Sequence, residues 1–155
     1  MIDATQFRQL VIKPTLLEID MHSEAAEVLL LGTAITESGL KYLRQHGDGP
    51  ARGVYQIEPA TMHDVWLNYL AHRSSLEAKI QAMIPPCDKK MLEEQLVTNL
   101  AYSTAIARIC YFRKPDPMPK EDDIEGLAAY WKQHYNTPLG AGKVEHFIEK
   151  VQDAI

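Results

Sequence analysis

The sequence predicts a mainly α-helical protein with a single domain over residues 1–155, a long central helix and a small β-hairpin lobe. Apolar residues make up 46% of the chain and charged residues 24%, which is the usage of a globular domain. A chain of 155 residues is long enough to bury one hydrophobic core. Prolines divide it into segments of helical length, at Pro14, Pro85, Pro86, Pro115, Pro117, Pro119 and Pro138.

The N-terminal third of the chain predicts three helices. Residues 4–12 and 15–21 form two short ones on either side of Pro14. Ser23 is a suitable N-cap for the third, which runs from Glu24 to about Thr36 and carries acidic residues in its first turn, where the helix dipole favours them. Its centre, residues 28–31, is apolar on most faces, so this helix is expected to be buried on several sides.

The region from Leu40 to Glu58 has a different texture from the rest. Glycines and a proline alternate there with apolar and aromatic residues, which predicts two short strands around a Gly-rich turn. Pro59 suits the first turn of a helix that runs to about His72, and a further helix covers residues 75–84.

The longest predicted helix begins after Asp88 and runs to about Phe112. Apolar and small residues follow helical spacing along it, at Leu92, Leu96, Leu100, Ser103, Ala107 and Cys110. Its second half is apolar nearly all round, which is typical of a helix in the middle of a domain. Two more helices, at about 121–134 and 142–153, complete the predicted fold.

The net charge and the hydropathy of the chain limit the kinds of partner that we expect. The chain has 16 basic and 21 acidic residues, a net charge of −5, and no cluster of Lys or Arg. We therefore expect no nucleic-acid partner and no attraction to an anionic membrane. The apolar stretches are too short for membrane insertion. Residues 1–6 lack the basic and apolar regions of a signal peptide, which predicts synthesis in the cytoplasm.

Cysteine and histidine usage predicts neither a cofactor nor a metal site. Cys87 and Cys110 lack the spacing of a metal or redox motif and are expected to be reduced thiols, although one disulfide stays possible. The six histidines are scattered, without a His-Glu-x-x-His motif.

Glu37 is the main catalytic candidate. It lies at the C-terminal end of an apolar helix, where the helix dipole and apolar neighbours disfavour a negative charge. Both effects raise the pKa of a carboxyl group, as a general acid requires near neutral pH. The alternative is a solvated surface glutamate that faces Lys41.

Three segments in order resemble a known group of enzymes. Residues 36–40 read Thr-Glu-Ser-Gly-Leu, residues 53–61 read Gly-Val-Tyr-Gln-Ile-Glu-Pro-Ala-Thr, and residues 135–142 read Tyr-Asn-Thr-Pro-Leu-Gly-Ala-Gly. This arrangement is similar to the lysozyme-like superfamily of soluble lytic transglycosylases and goose-type lysozymes. Its members carry a Glu-Ser at a helix end, a Gly-Leu-Met-Gln-like segment with a Pro-x-Thr, and a C-terminal Tyr-Asn followed by glycines. The compact length resembles phage-encoded relatives.

The resemblance implies a lysozyme-like domain that cleaves peptidoglycan glycan strands, with Glu37 as catalytic acid and then base. It also implies a group of substrate-side residues. Ser38 would support the loop or the carboxylate, Gly53 would let the backbone approach the sugar, and Gln56 would bind substrate or order the cleft. The opposite wall would be formed by Tyr135 and Asn136.

Some positions depart from the family pattern. Tyr55 replaces the family's Met, and it could stack on a sugar or pack the hairpin. Glu58 replaces an apolar residue and could activate water as a second catalytic carboxylate, or simply be stabilised at a helix start. Asp48 is a further candidate that more often is only a turn residue.

Two questions stay open at this point. A family member with a single glutamate closes a 1,6-anhydro ring with the sugar's C6 hydroxyl, whereas a second carboxylate would favour hydrolysis. The net charge of −5 also fits a non-catalytic virion or interaction protein that has kept the fold. A protein of either kind would be virion-associated or released to the cell wall at lysis, and its oligomeric state is not predicted.

Overall fold

The protein was analysed as a computed structural model that describes residues 1–137 and 140–155. The predicted mainly helical fold is confirmed. Pro138 and Leu139, which belong to the Tyr-Asn segment quoted above, lie outside the described residues. Within the described residues, no helix combines the length and the apolar character needed to cross a membrane.

The N-terminal helices form one continuous segment instead of two. Helix α1 (Ala4–Phe7) passes through a π-helical stretch (Arg8–Ile12) into α2 (Lys13–Glu18). Pro14 lies in the first turn of α2, where a missing N–H costs little. Proline therefore did not separate two helices here.

Helix α3 (Glu24–Ser38) begins and ends as predicted. The Ser23 hydroxyl accepts a hydrogen bond from the Ala26 N–H at 3.0 Å, and Gly39 closes the C-terminus with a left-handed φ of 65°. Residues 26–34 are buried, so the helix is covered on several sides.

The predicted β-hairpin is not formed as two strands. Between Leu40 and Glu58 the chain makes only isolated antiparallel bridges, which pair Arg52 with Arg44 and with Ile57. Glycines and a proline lie between the bridged residues, at Gly47, Gly49, Pro50 and Gly53, and they disfavour extension of the pairing into a ladder.

The prediction of one long central helix is wrong, because two helices take its place. Helix α4 (Pro59–Asn68), a 3₁₀ turn (Leu70–His72) and α5 (Ser74–Gln81) precede it, and α6 (Lys89–Thr98) and α7 (Leu100–Phe112) take its place. The break falls at Asn99, whose backbone is extended and whose side chain accepts from the Tyr102 N–H at 3.0 Å. The Asn99 amide also donates to the Met83 carbonyl at 2.8 Å, which anchors the break to the preceding loop.

Helix α7 occupies the core, and the last helices close around α3. Helix α8 (Ile124–Trp131) continues into a π-helical turn (Lys132–Asn136), and α9 (Val144–Ala154) packs along both α3 and α8. Gly32 of α3 makes the close approach to α9 possible, since a Cβ there would lie 2.3 Å from the Phe147 ring. Phe147 in turn packs on Trp131, with ring centroids 5.5 Å apart.

Candidate functional site

Glu37 lies in the last turn of α3 and is half-buried. The indole N–H of Trp131 donates a hydrogen bond to Glu37 Oε2 at 3.1 Å, and the Asn136 side chain lies near the same carboxyl and acts to lower its pKa. Lys41 is not its partner, because the Lys41 ammonium lies over the Tyr42 ring, 5.5 Å from the centroid. Of the two arrangements considered for Glu37, the half-buried one is observed.

The pKa of Glu37 is raised above its ordinary value. Burial of the carboxyl is the largest influence, since it penalises the charged form. The hydrogen bonds from Trp131 and Asn136 and the positive charge of Lys132 act in the opposite direction and lower the pKa. The effect of burial is larger than the effects that lower the pKa, so the pKa of Glu37 is raised, as predicted from the sequence.

A groove of about 750 Å³ opens at Glu37. Its lining is mainly polar and includes Thr36, Gln45, His46, Gln56, Glu58, Tyr135, Asn136 and His146. A second cavity of about 430 Å³ adjoins it, because both are lined by Gln56, Glu58 and Tyr135. Glu37 lines the larger of these two cavities, and Arg113 lines the smaller one.

Three of the residues predicted to bind substrate have structural contacts instead. The buried Ser38 hydroxyl donates to the Val54 carbonyl at 2.6 Å, which supports the loop, as one of its two predicted roles required. Gly53 has a φ of 76°, and a Cβ there would lie 2.0 Å from the Leu96 carbonyl oxygen, so α6 and not a sugar explains the glycine. Stacking of Tyr55 on a sugar is excluded, because its side chain is fully buried.

The other predicted residues line the groove. Gln56 has a left-handed φ of 50°, and its side-chain amide donates to the Gly53 carbonyl at 2.9 Å, so it orders its own turn. Glu58 is exposed at the start of α4 and makes no capping hydrogen bond to the described residues. Tyr135 donates through its hydroxyl to the Tyr55 carbonyl at 2.5 Å, which ties the π-helical turn to the loop that carries Gln56.

Sequence reasoning missed two residues of this site. Trp131 had no predicted role at the site, yet its fully buried ring supplies the N–H that donates to Glu37. Lys132 had no predicted role, although its ammonium donates to Asn136 Oδ1 at 2.8 Å. The four-residue spacing of Lys132 and Asn136 on a helical segment was the one signal that could have indicated this pair.

Outside this site, potential metal-ligand atoms of His22, Glu24 and Glu27 lie within 4.8 Å of one another. The Arg8 guanidinium hydrogen-bonds both glutamates, at 3.1 Å and 2.9 Å. The charge of Arg8 therefore already occupies the place that a cation would take.

No protein-family model matches this chain, and no curated protein or solved structure matches it either. The geometry around Glu37 is therefore what bears on function.

Proposed function

We propose that this protein cleaves peptidoglycan glycan strands, as a lytic transglycosylase or a muramidase of the lysozyme-like kind, with Glu37 as the catalytic acid and then base. The observation that carries the proposal is a half-buried carboxyl group with a raised pKa that opens onto an extended polar groove. A glycosidic oxygen leaves poorly until it is protonated, so the reaction needs an acid that keeps its proton near neutral pH.

The contacts of Glu37 suit both halves of such a reaction. The protonated carboxyl donates its proton to the glycosidic oxygen as the C–O bond breaks, and the carboxylate that forms accepts hydrogen bonds from Trp131 and Asn136. In the second half, the carboxylate takes a proton from the hydroxyl group that attacks the sugar. Amide and hydroxyl groups along the groove, including Gln45, Gln56 and Asn136, match the hydroxyl and N-acetyl groups of the substrate.

The attacking hydroxyl defines two forms of the proposal. If it is the sugar's own C6 hydroxyl, the product carries a 1,6-anhydro ring; if it is water, the product is a reducing sugar. Glu58 lines the same groove, is exposed and makes no capping hydrogen bond to the described residues, so its carboxylate is available to activate water. Hydrolysis could therefore use Glu58 to activate water, whereas ring closure needs only Glu37.

One observation favours a second candidate function. The net charge of −5 gives no electrostatic attraction to an anionic cell wall, which suits a virion or interaction protein without turnover. An enzyme delivered within a virion, or released at lysis, would not need that attraction. Activity on purified murein therefore distinguishes the two candidates.

Zymography on purified murein tests the proposal with the wild type, Glu37→Gln and a control, Glu149→Gln, which changes an exposed glutamate of α9. We expect clearing by the wild type and the control and none by Glu37→Gln. Clearing by Glu37→Gln at the wild-type rate would refute the catalytic role, and no clearing by any protein would favour the non-catalytic alternative.

Mass spectrometry of the released muropeptides then separates anhydro ends from hydrated ends. In the same assay, Glu58→Gln is expected to abolish hydrated products if Glu58 activates water. Full activity of Glu58→Gln would remove Glu58 from the mechanism and leave Glu37 as the single catalytic carboxyl.

A further inference from the structure

The Lys132 side chain is fully hydrogen-bonded, but only to neutral groups. Its ammonium donates to Asn136 Oδ1 at 2.8 Å, to the Gly140 carbonyl at 2.8 Å and to the Gly142 carbonyl at 2.6 Å. These contacts use all three N–H donors of a lysine. Among the described residues, no carboxylate oxygen lies within 4.0 Å of this ammonium, so its charge is not neutralised by a salt bridge.

The contact with Lys132 fixes the orientation of the Asn136 amide. An amide group has an acceptor oxygen on one side and two donor hydrogens on the other. Because the oxygen faces the Lys132 ammonium, the amide nitrogen is left to face the Glu37 carboxyl, whose pKa the Asn136 side chain acts to lower. A flipped amide would place its N–H groups against a cation and its oxygen against a carboxyl, and both contacts would be lost.

The other two contacts of Lys132 hold the backbone of Gly140 and Gly142 against Asn136 and Trp131, the two side chains beside the Glu37 carboxyl. A Cβ on Gly140 would lie 2.6 Å from Asn136 Oδ1, and a Cβ on Gly142 would lie 2.6 Å from the Trp131 ring. The backbone at these glycines therefore packs directly on Asn136 and on Trp131. Lys132 binds both glycine carbonyls and the Asn136 amide. It therefore connects the backbone at Gly140 and Gly142 with the side chains that surround the Glu37 carboxyl.

We infer that Lys132 is a positioning residue for Glu37, which orients the Asn136 amide and holds the Gly140 and Gly142 backbone against the two donors of the carboxyl. The inference rests on the proposed function for its catalytic meaning, but its structural part can be measured without activity. Lys132 is not a catalytic residue, because it acts on Glu37 through Asn136 and through its charge.

Other titratable groups also face Glu37 from the elements around it. They come from the loop before α4, from α7, from the π-helical turn and from α9, and they are His46, Glu58, Tyr111, Tyr135 and His146. Lys132 differs from all of them because its three N–H donors are all engaged at the site.

The test follows the ionisation of Glu37 through the indole proton of Trp131. The chain has two tryptophans, so Trp66→Phe assigns the remaining indole signal in a ¹⁵N–¹H spectrum to Trp131. Its chemical shift is expected to titrate with Glu37, because the indole donates to that carboxyl. Lys132→Met is expected to shift the Trp131 signal and to move the titration midpoint to higher pH, since a positive charge and an oriented donor are both lost.

Lys143→Met is the matched control, because Lys143 is exposed just before α9. It should leave the signal and the midpoint unchanged. For a variant that keeps polar character, Lys132→Gln removes the charge but retains two donors, and it should raise the midpoint as well. It is used on its own if Lys132→Met does not fold. An unchanged midpoint in a folded Lys132 variant would overturn the inference.

Chemical rescue separates positioning from a general loss of stability. In a Cys87→Ser, Cys110→Ala background, Lys132→Cys alkylated with 2-bromoethylamine regains an ammonium at nearly the length of lysine, and the midpoint should return toward the wild-type value. Failure of the alkylated protein to regain it would also count against the inference.

Activity adds an independent readout. Murein clearing by Lys132→Met should fall by up to about 100-fold, the effect of misplacing a catalytic group by about 1 Å. If the wild type does not clear murein but Lys132→Met still moves the midpoint, the proposed function fails and the positioning role stands.

Discussion

The close packing of α3 against α9 depends on the absence of a Cβ at Gly32. In Gly32→Ala, the new Cβ would lie 2.3 Å and 2.6 Å from two atoms of the Phe147 ring and 2.7 Å from a methyl carbon of Val151. Side chains do not tolerate distances below 3.0 Å, so α3 and α9 must move apart or the ring must shift. The ring has no room to rotate, because Phe147 and Trp131 are both fully buried and pack on each other.

Two opposing contributions decide the sign of the effect. Alanine is favoured over glycine inside a helix by about 1 kcal/mol. Overpacking of a well-filled core costs about 1–3 kcal/mol, and a clash with three atoms belongs in the upper part of that range. We therefore expect a net loss of about 1–2 kcal/mol, which lowers the melting temperature by roughly 2–8 °C for a protein of this size.

Urea denaturation followed by circular dichroism measures the loss, and Phe147→Leu provides the control. If the clash with the ring is the cause, Gly32→Ala should cost less in the Phe147→Leu background than in the wild type, so the two changes are not additive. A Gly32→Ala protein as stable as the wild type, or an equal cost in both backgrounds, would refute the packing argument.

Three further predictions follow from single residues. Ser38→Ala leaves the Val54 carbonyl without its buried donor and should cost about 1–3 kcal/mol in urea denaturation. Asn99→Ala removes the N-cap of α7 and the contact with Met83, with an expected loss of about 1–2 kcal/mol in the same assay; an unchanged stability would show that the helix break does not depend on this side chain. For Glu37→Gln, the expected change in the free energy of unfolding depends on pH. Burial raises the folded-state pKa above the ordinary value of 4.5, so the wild type loses stability as pH rises from 4.5 through the folded pKa. The variant should match the wild type below pH 4.5 and gain on it above, by at most about 1.4 kcal/mol per pH unit, and a constant difference across pH would contradict the raised pKa.

Local chemistry explains which helix ends could be predicted from the sequence. Ser23 and Asp88 cap helices through hydrogen bonds to residues three positions away, and Gly39 closes α3 through its own backbone. Such signals lie within a few residues of the helix end. The break at Asn99 was missed because part of what fixes it is a contact with Met83, sixteen residues earlier, that no local pattern records.

The site also contains one residue that local sequence predicts and contacts that it does not. Glu37 could be predicted because a carboxyl at the end of an apolar helix has few ways to avoid desolvation. The ring of Trp131 is fully buried, and helical spacing does not indicate where its indole N–H points. The partners of Lys132 at Gly140 and Gly142 come together only when the chain folds back, so the sequence indicated Glu37 but not the contacts of Lys132 beside it.

The two kinds of influence on Glu37 are useful only in combination. Burial alone would give a carboxyl that keeps its proton but forms an isolated buried charge once it donates it. Donors and a cation alone would stabilise the carboxylate so well that no proton would be left to give at neutral pH. Burial raises the pKa of Glu37, whereas Trp131, Asn136 and Lys132 act to lower it, and burial is the larger influence. Under the proposed function, a group that is an acid in one step and a base in the next needs both kinds of influence, and loss of Lys132 should raise the pKa of Glu37 without removing any of its atoms.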